Sequence, residues 1–316
     1  MIYLCDYFDD WICNHKEGVV RAVTLKKYRA SLKWLRLHFP KQALTRLDRA
    51  GYQKIINTYA QTHESATVRD FHTHIKACLL DAFEEGDIKK LPTRKIVLKG
   101  KPAKPKKIKY LDRDEVRRLV KVLNDTGEAD MDFLIVFLLK TGLRFAEALA
   151  ITPKDIDFQR ATLNINKTWD YKTGSGFIPT KNKSSERMIY LDCQLVMALM
   201  KLCEKKKEDE LIFKYLFDLK NKDVRSSSRS GNLYNSTINA HLARRCELAE
   251  VPVISIHGLR HTHASILLYS GATITSIAQR LGHCDGTVTQ KTYLHVIKEL
   301  ERKDAATMLN SLAFIC

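Results

Sequence analysis

The chain has 316 residues, 45% of them hydrophobic, and a formal net charge of +17. That length holds two cores and that apolar fraction excludes wholesale disorder, while the longest apolar run, residues 133–139, is too short to cross a bilayer. The cationic excess points to a polyanion, most often nucleic acid, rather than to a membrane surface, which would need a basic amphipathic helix with exposed apolar residues. Eight scattered cysteines without a C-x-x-C pair fit free buried thiols in a reducing compartment better than disulfides or a zinc ribbon.

Residues 1–97 read as a small helical unit. In VTLKKYRASLKWLRLHF, Leu25, Tyr28, Leu32, Leu35 and Phe39 recur every three or four positions, which predicts an amphipathic helix with Thr24 as its N-cap. A short helix is expected near Asp48 to Ala60. SATVRDFHTHIKACLLDAFEEGD repeats the helical pattern through Val68, Phe71, Ile75 and Leu79, with Gly86 placed to end it. Residues 98–109 form a basic linker: six lysines lie between Lys99 and Lys109, Pro102 and Pro105 bar regular structure, and like charges hold the chain extended. Lys101, Lys104, Lys106 and Lys107 are its candidate DNA contacts; a solvated tether would have the same composition.

A second domain spans 110–316. Asp112 followed by Glu115 is a capping box in Asp form. DFLIVFLLKTGLRFAEALA reads as a buried helix, a break at Gly142 and a new short helix. ATLNINKTW, SGFIPT and ERMIYL are short β-rich runs, and RSSSRSGN at 225–232 is a polar loop. The remainder is helical: NSTINAHLARRCELA, a histidine-bearing segment stopped by Gly271, TITSIAQRLG, and an amphipathic tail from about residue 296. The expected fold class is mainly α with a small antiparallel β-sheet (α+β).

The stretch ISIHGLRHTHASILL holds His257, His261 and His263 around Arg260. A fixed cation repels a metal ion, and on a helix His263 lies well around from His257, Arg260 and His261, so no metal site is expected. With nucleic acid as partner, Arg260 and Arg144 of TGLRFAE can each grip phosphodiester oxygens bidentately. Such a cationic cage supplies most of what phosphoryl transfer needs. His257 sits one turn from Arg260 and points the same way, and His283 in LGHCDGTVTQKTYLHV can donate to the same phosphate. A lysine of PTKNKSSERMIYL can protonate a leaving 5′ oxygen. Tyr293 remains as nucleophile, its phenol expected to ionise more easily among cations and beside an imidazole.

The motifs TGLR-x-x-E, H-x-x-R, LGH and a tyrosine ten residues beyond that histidine, in this order, resemble the tyrosine recombinase family in its phage-integrase branch. The likeness covers about residues 110–310, and the helical unit resembles the family's SAM-like core-binding domain. It implies a core-binding domain and a catalytic domain closing as a C-shaped clamp around DNA. It implies that Arg144 and Arg260 bind the scissile phosphate, that Lys181 is the general acid, and that His257 is the base or a phosphate donor. His283 would be the accompanying hydrogen-bonding histidine, Tyr293 the nucleophile, and Glu147 a buried support for the Arg144 segment. Lys181 is preferred to Lys183 because the first lysine of the integrase pattern acts; Lys183 is then a DNA contact, and on a hairpin the two share a face unless the turn begins between them. His261 and His263 read as packing or supporting residues, a DNA contact staying open to His261.

The implied activity is site-specific recombination through a 3′-phosphotyrosine and a Holliday junction, without metal, ATP or other cofactor, integrating and excising a mobile element or prophage. The implied partners are double-stranded attachment-site or element-end core DNA, three further copies of the chain in a homotetramer, and excisionase and DNA-bending proteins. The tail, with Leu300, Met308, Leu309 and Leu312, docks on a neighbouring subunit or packs on its own domain. The implied place is the bacterial cytoplasm at the nucleoid, with no membrane. A housekeeping Xer-like dimer resolvase and a type IB topoisomerase-like relaxing enzyme share this chemistry. Many integrases of this branch begin with an additional arm-binding domain, so the chain is expected to be a piece of a longer protein, the alternative being a two-domain type that starts with the helical unit.

Overall fold

The computed structural model describes residues 2–102, 110–123, 130–172, 174–180, 182–214, 216–217, 233–283, 290 and 293. The chain divides into two compact units, Met1–Lys106 and Lys107–Cys316. Mainly α structure with small antiparallel sheets is the observed class. No helix among the described residues is long and apolar enough to cross a membrane.

The first unit consists of α1 (Leu4–His15), α2 (Ala22–His38), α3 (Arg49–Ala60) and α4 (Ser65–Glu84). Their apolar faces meet in one core of Leu4, Phe8, Ile12, Leu35, Tyr52, Ile55, Phe71, Ile75 and Leu79, all essentially solvent-free. Each such side chain stabilises the unit by roughly 1.5–3 kcal/mol. Asp48 caps α3 by accepting the Gly51 N–H, and Gly86 at φ +86° follows the end of α4. Thr24 is not the cap of α2. The helix opens at Ala22, and the Thr24 and Leu25 N–H groups both bond to the Arg21 carbonyl, so the first turn is already closed around Thr24.

Residues 97–101 are held to this unit rather than leaving it as an extended tether. The Gln53 side-chain amide donates to the Val97 carbonyl and accepts the Val97 N–H, both at 2.9 Å. The Lys101 N–H donates to the His63 carbonyl at 2.8 Å. Gly100 lies so close to α4 that a Cβ there would sit 2.5 Å from the Ser65 nitrogen. The first proline of this stretch is Pro102, so each residue from 97 to 101 keeps the N–H that these contacts use. Lys104, Lys106 and Lys107 lie outside the described residues.

In the second unit α5 (Arg113–Val122) opens with the expected capping box between Asp112 and Glu115. Helix α6 (Met131–Thr141) is buried on almost every side and ends at Gly142 with φ +68°; α7 (Phe145–Leu149) follows at once. Strands β1 (Ile156–Asp157), β2 (Thr162–Ile165) and β5 (Arg187–Tyr190) form one antiparallel sheet in the order β1-β2-β5, with Leu163 opposite Ile189. Strands β3 (Lys167–Trp169) and β4 (Phe177–Pro179) pair separately. Helices α8 (Cys193–Cys203), α9 (Asn235–Leu248), α10 (Ile256–Tyr269) and α11 (Ile274–Leu281) complete the described unit. Helix α10 lies along α6. The buried Asp132 of α6 pairs with His241 and Arg245 of α9, both at 2.6 Å.

The segment between β4 and β5 is therefore not a hairpin. Burying Ile189 against the core commits β5 to β2, whose Leu163 and Ile165 face the same way, and leaves β4 to pair with β3. Lys183 opens a short 3-10 turn, Lys183–Ser185, and is exposed. Lys181, the RSSSRSGN loop and the tail from residue 296 lie outside the described residues. Of the described cysteines Cys5, Cys78 and Cys246 are buried, while Cys13 and Cys193 are exposed, contrary to the expectation of burial.

Candidate active site

Three of the sequence motifs meet through backbone carbonyls. Arg260, buried on α10, donates from Nη1 to the Gly142 carbonyl at 2.8 Å and from Nη2 to the Leu281 carbonyl at 2.6 Å. Arg144, at the start of α7 and one-third exposed, donates from Nη2 to the neighbouring Gly282 carbonyl at 3.3 Å. Residues 118 and 138 positions apart thus place two guanidiniums side by side. Gly142 and Gly282 both take φ +68°, a conformation that glycine adopts without steric cost. A Cβ on Gly142 would lie 2.6 Å from the His263 ring, and one on Gly282 would lie 3.0 Å from both the Arg187 guanidinium and the Ser184 carbonyl.

Glu147 holds this cluster from behind. Its carboxylate accepts the Arg144 N–H at 2.9 Å and Arg144 Nη1 at 2.6 Å, and it also accepts Arg187 Nη2 at 2.9 Å. Burial raises its pKa, but the two guanidiniums, Arg187 foremost, more than reverse that and keep the carboxyl below the ordinary range. Arg187 also donates from Nε to the Arg280 carbonyl at 2.6 Å and from Nη1 to the Ser185 carbonyl at 2.8 Å. Arg280 donates from Nε to His263 Nε2 at 3.0 Å, while His263 Nδ1 lies 2.9 Å from the Leu139 carbonyl. Burial and the charge of Arg280 push His263 down to about 3. It is a neutral packing residue, as expected.

His283 faces the same cluster. Burial, then the charges of Arg260, Arg144, Arg187 and His257, push its pKa down to about 4, so at neutral pH it is an uncharged ring able to donate one N–H. Burial and Arg144 push Arg260 down to about 9, which leaves its guanidinium charged at neutral pH. His257, one turn before Arg260 and exposed, meets the ring of His261 edge-on at 4.8 Å.

Tyr293 departs from expectation. It is 2% exposed, packed with Ala264, Leu268, Ile277 and Leu281. Burial outweighs the opposing charge of Arg260 and pushes its pKa up to about 12, so the phenol is harder to ionise than a free tyrosine, not easier. The imidazole beside it is that of His261, whose Nδ1 lies 2.9 Å from the phenol oxygen. The three histidines of α10 therefore take three different surroundings. Among the described residues no group of three or more His, Cys, Asp or Glu gathers in a way that would hold a metal ion.

Residues 109–299 match the phage integrase family. The chain belongs to that family. It is a site-specific recombinase of the phage integrase kind. It is 25% identical to the integrase of Staphylococcus phage L54a, over 93% of this chain and 89% of that one. It is 24% identical to the ICEBs1 integrase of Bacillus subtilis strain 168, over 86% of this chain and 72% of that one. Its fold is similar to that of the Tn1549 transposon integrase in complex with transposon right end DNA, with a TM-score of 0.73, 18% identity, and coverage of 96% of this chain and all of the other.

One member of this integrase's site, Arg187, escaped the sequence reading. Arg187 shares its strand face with Ile189, so a charge at an inward-facing position was its signal. His261 was read as a packing or supporting residue with a DNA contact left open; its adjacency to Arg260 carried no sign that Tyr293 would fold back onto it.

Proposed function

We propose that the chain cuts and rejoins double-stranded DNA at a defined site through a 3′-phosphotyrosine and a Holliday junction, integrating and excising a mobile element. The observation that carries this reading is the convergence of Arg144, Arg260 and His283 around the Leu281–Gly282 carbonyls, with Tyr293 packed on the same helix pair. Two guanidiniums and a neutral imidazole N–H suit a phosphate on which negative charge builds as an oxygen attacks. In cleavage the Tyr293 oxygen forms a bond to phosphorus, the bond from phosphorus to the 5′ oxygen breaks, and Lys181 protonates that oxygen. The reverse steps rejoin the strands, so one ester is exchanged for another and no external energy source is needed. Four copies act on two duplexes, linked by their C-terminal tails, with DNA-bending and excision factors setting direction.

The test is a nicked DNA substrate carrying the element's end sequence, incubated in EDTA. A covalent protein–DNA adduct is expected, and Tyr293→Phe is expected to abolish it while DNA binding persists. An adduct in that variant would overturn the assignment. A second reading, a chromosome dimer resolvase with the same chemistry, is favoured by the likeness to the "Tyrosine recombinase XerC-like" protein of Caldanaerobacter subterraneus, at 26% identity over 80% of this chain and 68% of that one. Adduct formation on a chromosomal resolution site in preference to element ends would favour it.

A further inference from the structure

The phenol that must attack is buried, and its proton needs an acceptor. With Tyr293 2% exposed, bulk water has little access to it. The group in hydrogen-bond contact is His261: Nδ1 lies 2.9 Å from the phenol oxygen, with the ring centroids 5.7 Å apart and the planes inclined by 63°. That ring belongs to α10, which Arg260 ties at both ends of its guanidinium to Gly142 and Leu281, so its position is fixed by the phosphate-binding framework itself. His257 sits one turn earlier and meets the ring of His261 edge-on.

We propose that His261 is the base that takes the proton of Tyr293, an assignment that rests on the recombinase reading above. The Oη–H bond of Tyr293 breaks and its proton passes to Nδ1 of His261. The phenol oxygen's electron pair forms the bond to phosphorus, and the 5′ oxygen leaves with a proton from the general acid. On rejoining, the 5′ hydroxyl gives its proton back, attacks the phosphotyrosine, and the departing phenol oxygen recovers its proton from the imidazolium. His257 is then left to the phosphate.

The assignment is tested by single-turnover adduct formation on the nicked substrate with the full chain. His261→Ala is expected to slow the adduct about 100-fold, the scale of a lost general base, with DNA binding unchanged. Tyr293→3,5-difluorotyrosine, whose phenol gives up its proton more readily, is expected to recover most of that loss in the His261→Ala background. A DNA-binding His261→Ala chain that cleaves at the unaltered rate overturns the proposal. So does a deficit that the fluorinated phenol leaves untouched, which marks His261 as a positioning contact. Should His261→Ala not fold, His261→Gln takes its place, since an amide keeps a hydrogen bond but cannot carry the proton, and cleavage by it at the unaltered rate again overturns the proposal. A Tyr293→Phe chain that still forms adduct removes the recombinase reading itself, whereas an inactive Tyr293→Phe beside a fully active His261→Ala removes this inference alone.

Discussion

Glu147 shows what one buried side chain does for a cationic site. Two like charges about 4 Å apart repel by about 4 kcal/mol at the dielectric typical of a protein surface, so Arg144 and Arg187 share a site only because the carboxylate between them accepts from both. His263 is the neutral counterpart, kept uncharged by burial and by Arg280. Its folded pKa of about 3 lies below the ordinary 6.5, so between those values the unfolded chain binds a proton that the folded chain does not. Stability is therefore fully present above pH 6.5 and is lost as pH falls towards 3, by about 1.4 kcal/mol per pH unit. Melting temperatures measured from neutral to mildly acidic pH are expected to fall, and to fall less steeply in His263→Asn. His283, held down to about 4, adds to the same slope, so the variant reduces it without removing it.

At the level of elements, the site depends on two glycine-terminated helices. Both α6 and α11 end in a left-handed residue, Gly142 and Gly282, and the carbonyls at those ends receive Arg260 and Arg144. Gly142→Ala meets two obstacles: the left-handed backbone costs a side chain about 1–2 kcal/mol, and its Cβ would lie 2.6 Å from the His263 ring. A loss of at least about 2 kcal/mol in denaturant unfolding is expected, together with slower adduct formation as Arg260 loses its carbonyl geometry. The helices around these ends were legible in the sequence, because their apolar spacing and caps are local: Asp112 and Gly142 act where they were expected to act. Strand partnership was not legible. The runs on either side of Lys181 look like the arms of a hairpin, and only the burial of Ile189 beside Leu163 assigns β5 to β2.

For the whole molecule the +17 charge is the governing quantity. Each phosphate neutralised on binding releases a condensed counterion, so DNA affinity is expected to drop about a thousandfold between about 50 mM and about 200 mM salt. A titration with labelled duplex checks this, and a flat response would contradict the use of these lysines and arginines on DNA. The sequence by itself determined the class of partner, the mainly helical fold and, in Arg144, Arg260 and His283, residues that the fold brings together, because charge, helical periodicity and motif spacing are properties of the chain read in order. It also led to the expectation of an easily ionised Tyr293, and there the tertiary structure decided otherwise. Burial and hydrogen-bond partners depend on which distant segments fold together: Tyr293 lies 32 residues from His261 in sequence and 2.9 Å from it in space. Desolvation, which no linear motif encodes, is what turns the nearby cations from the dominant influence on that phenol into the weaker one.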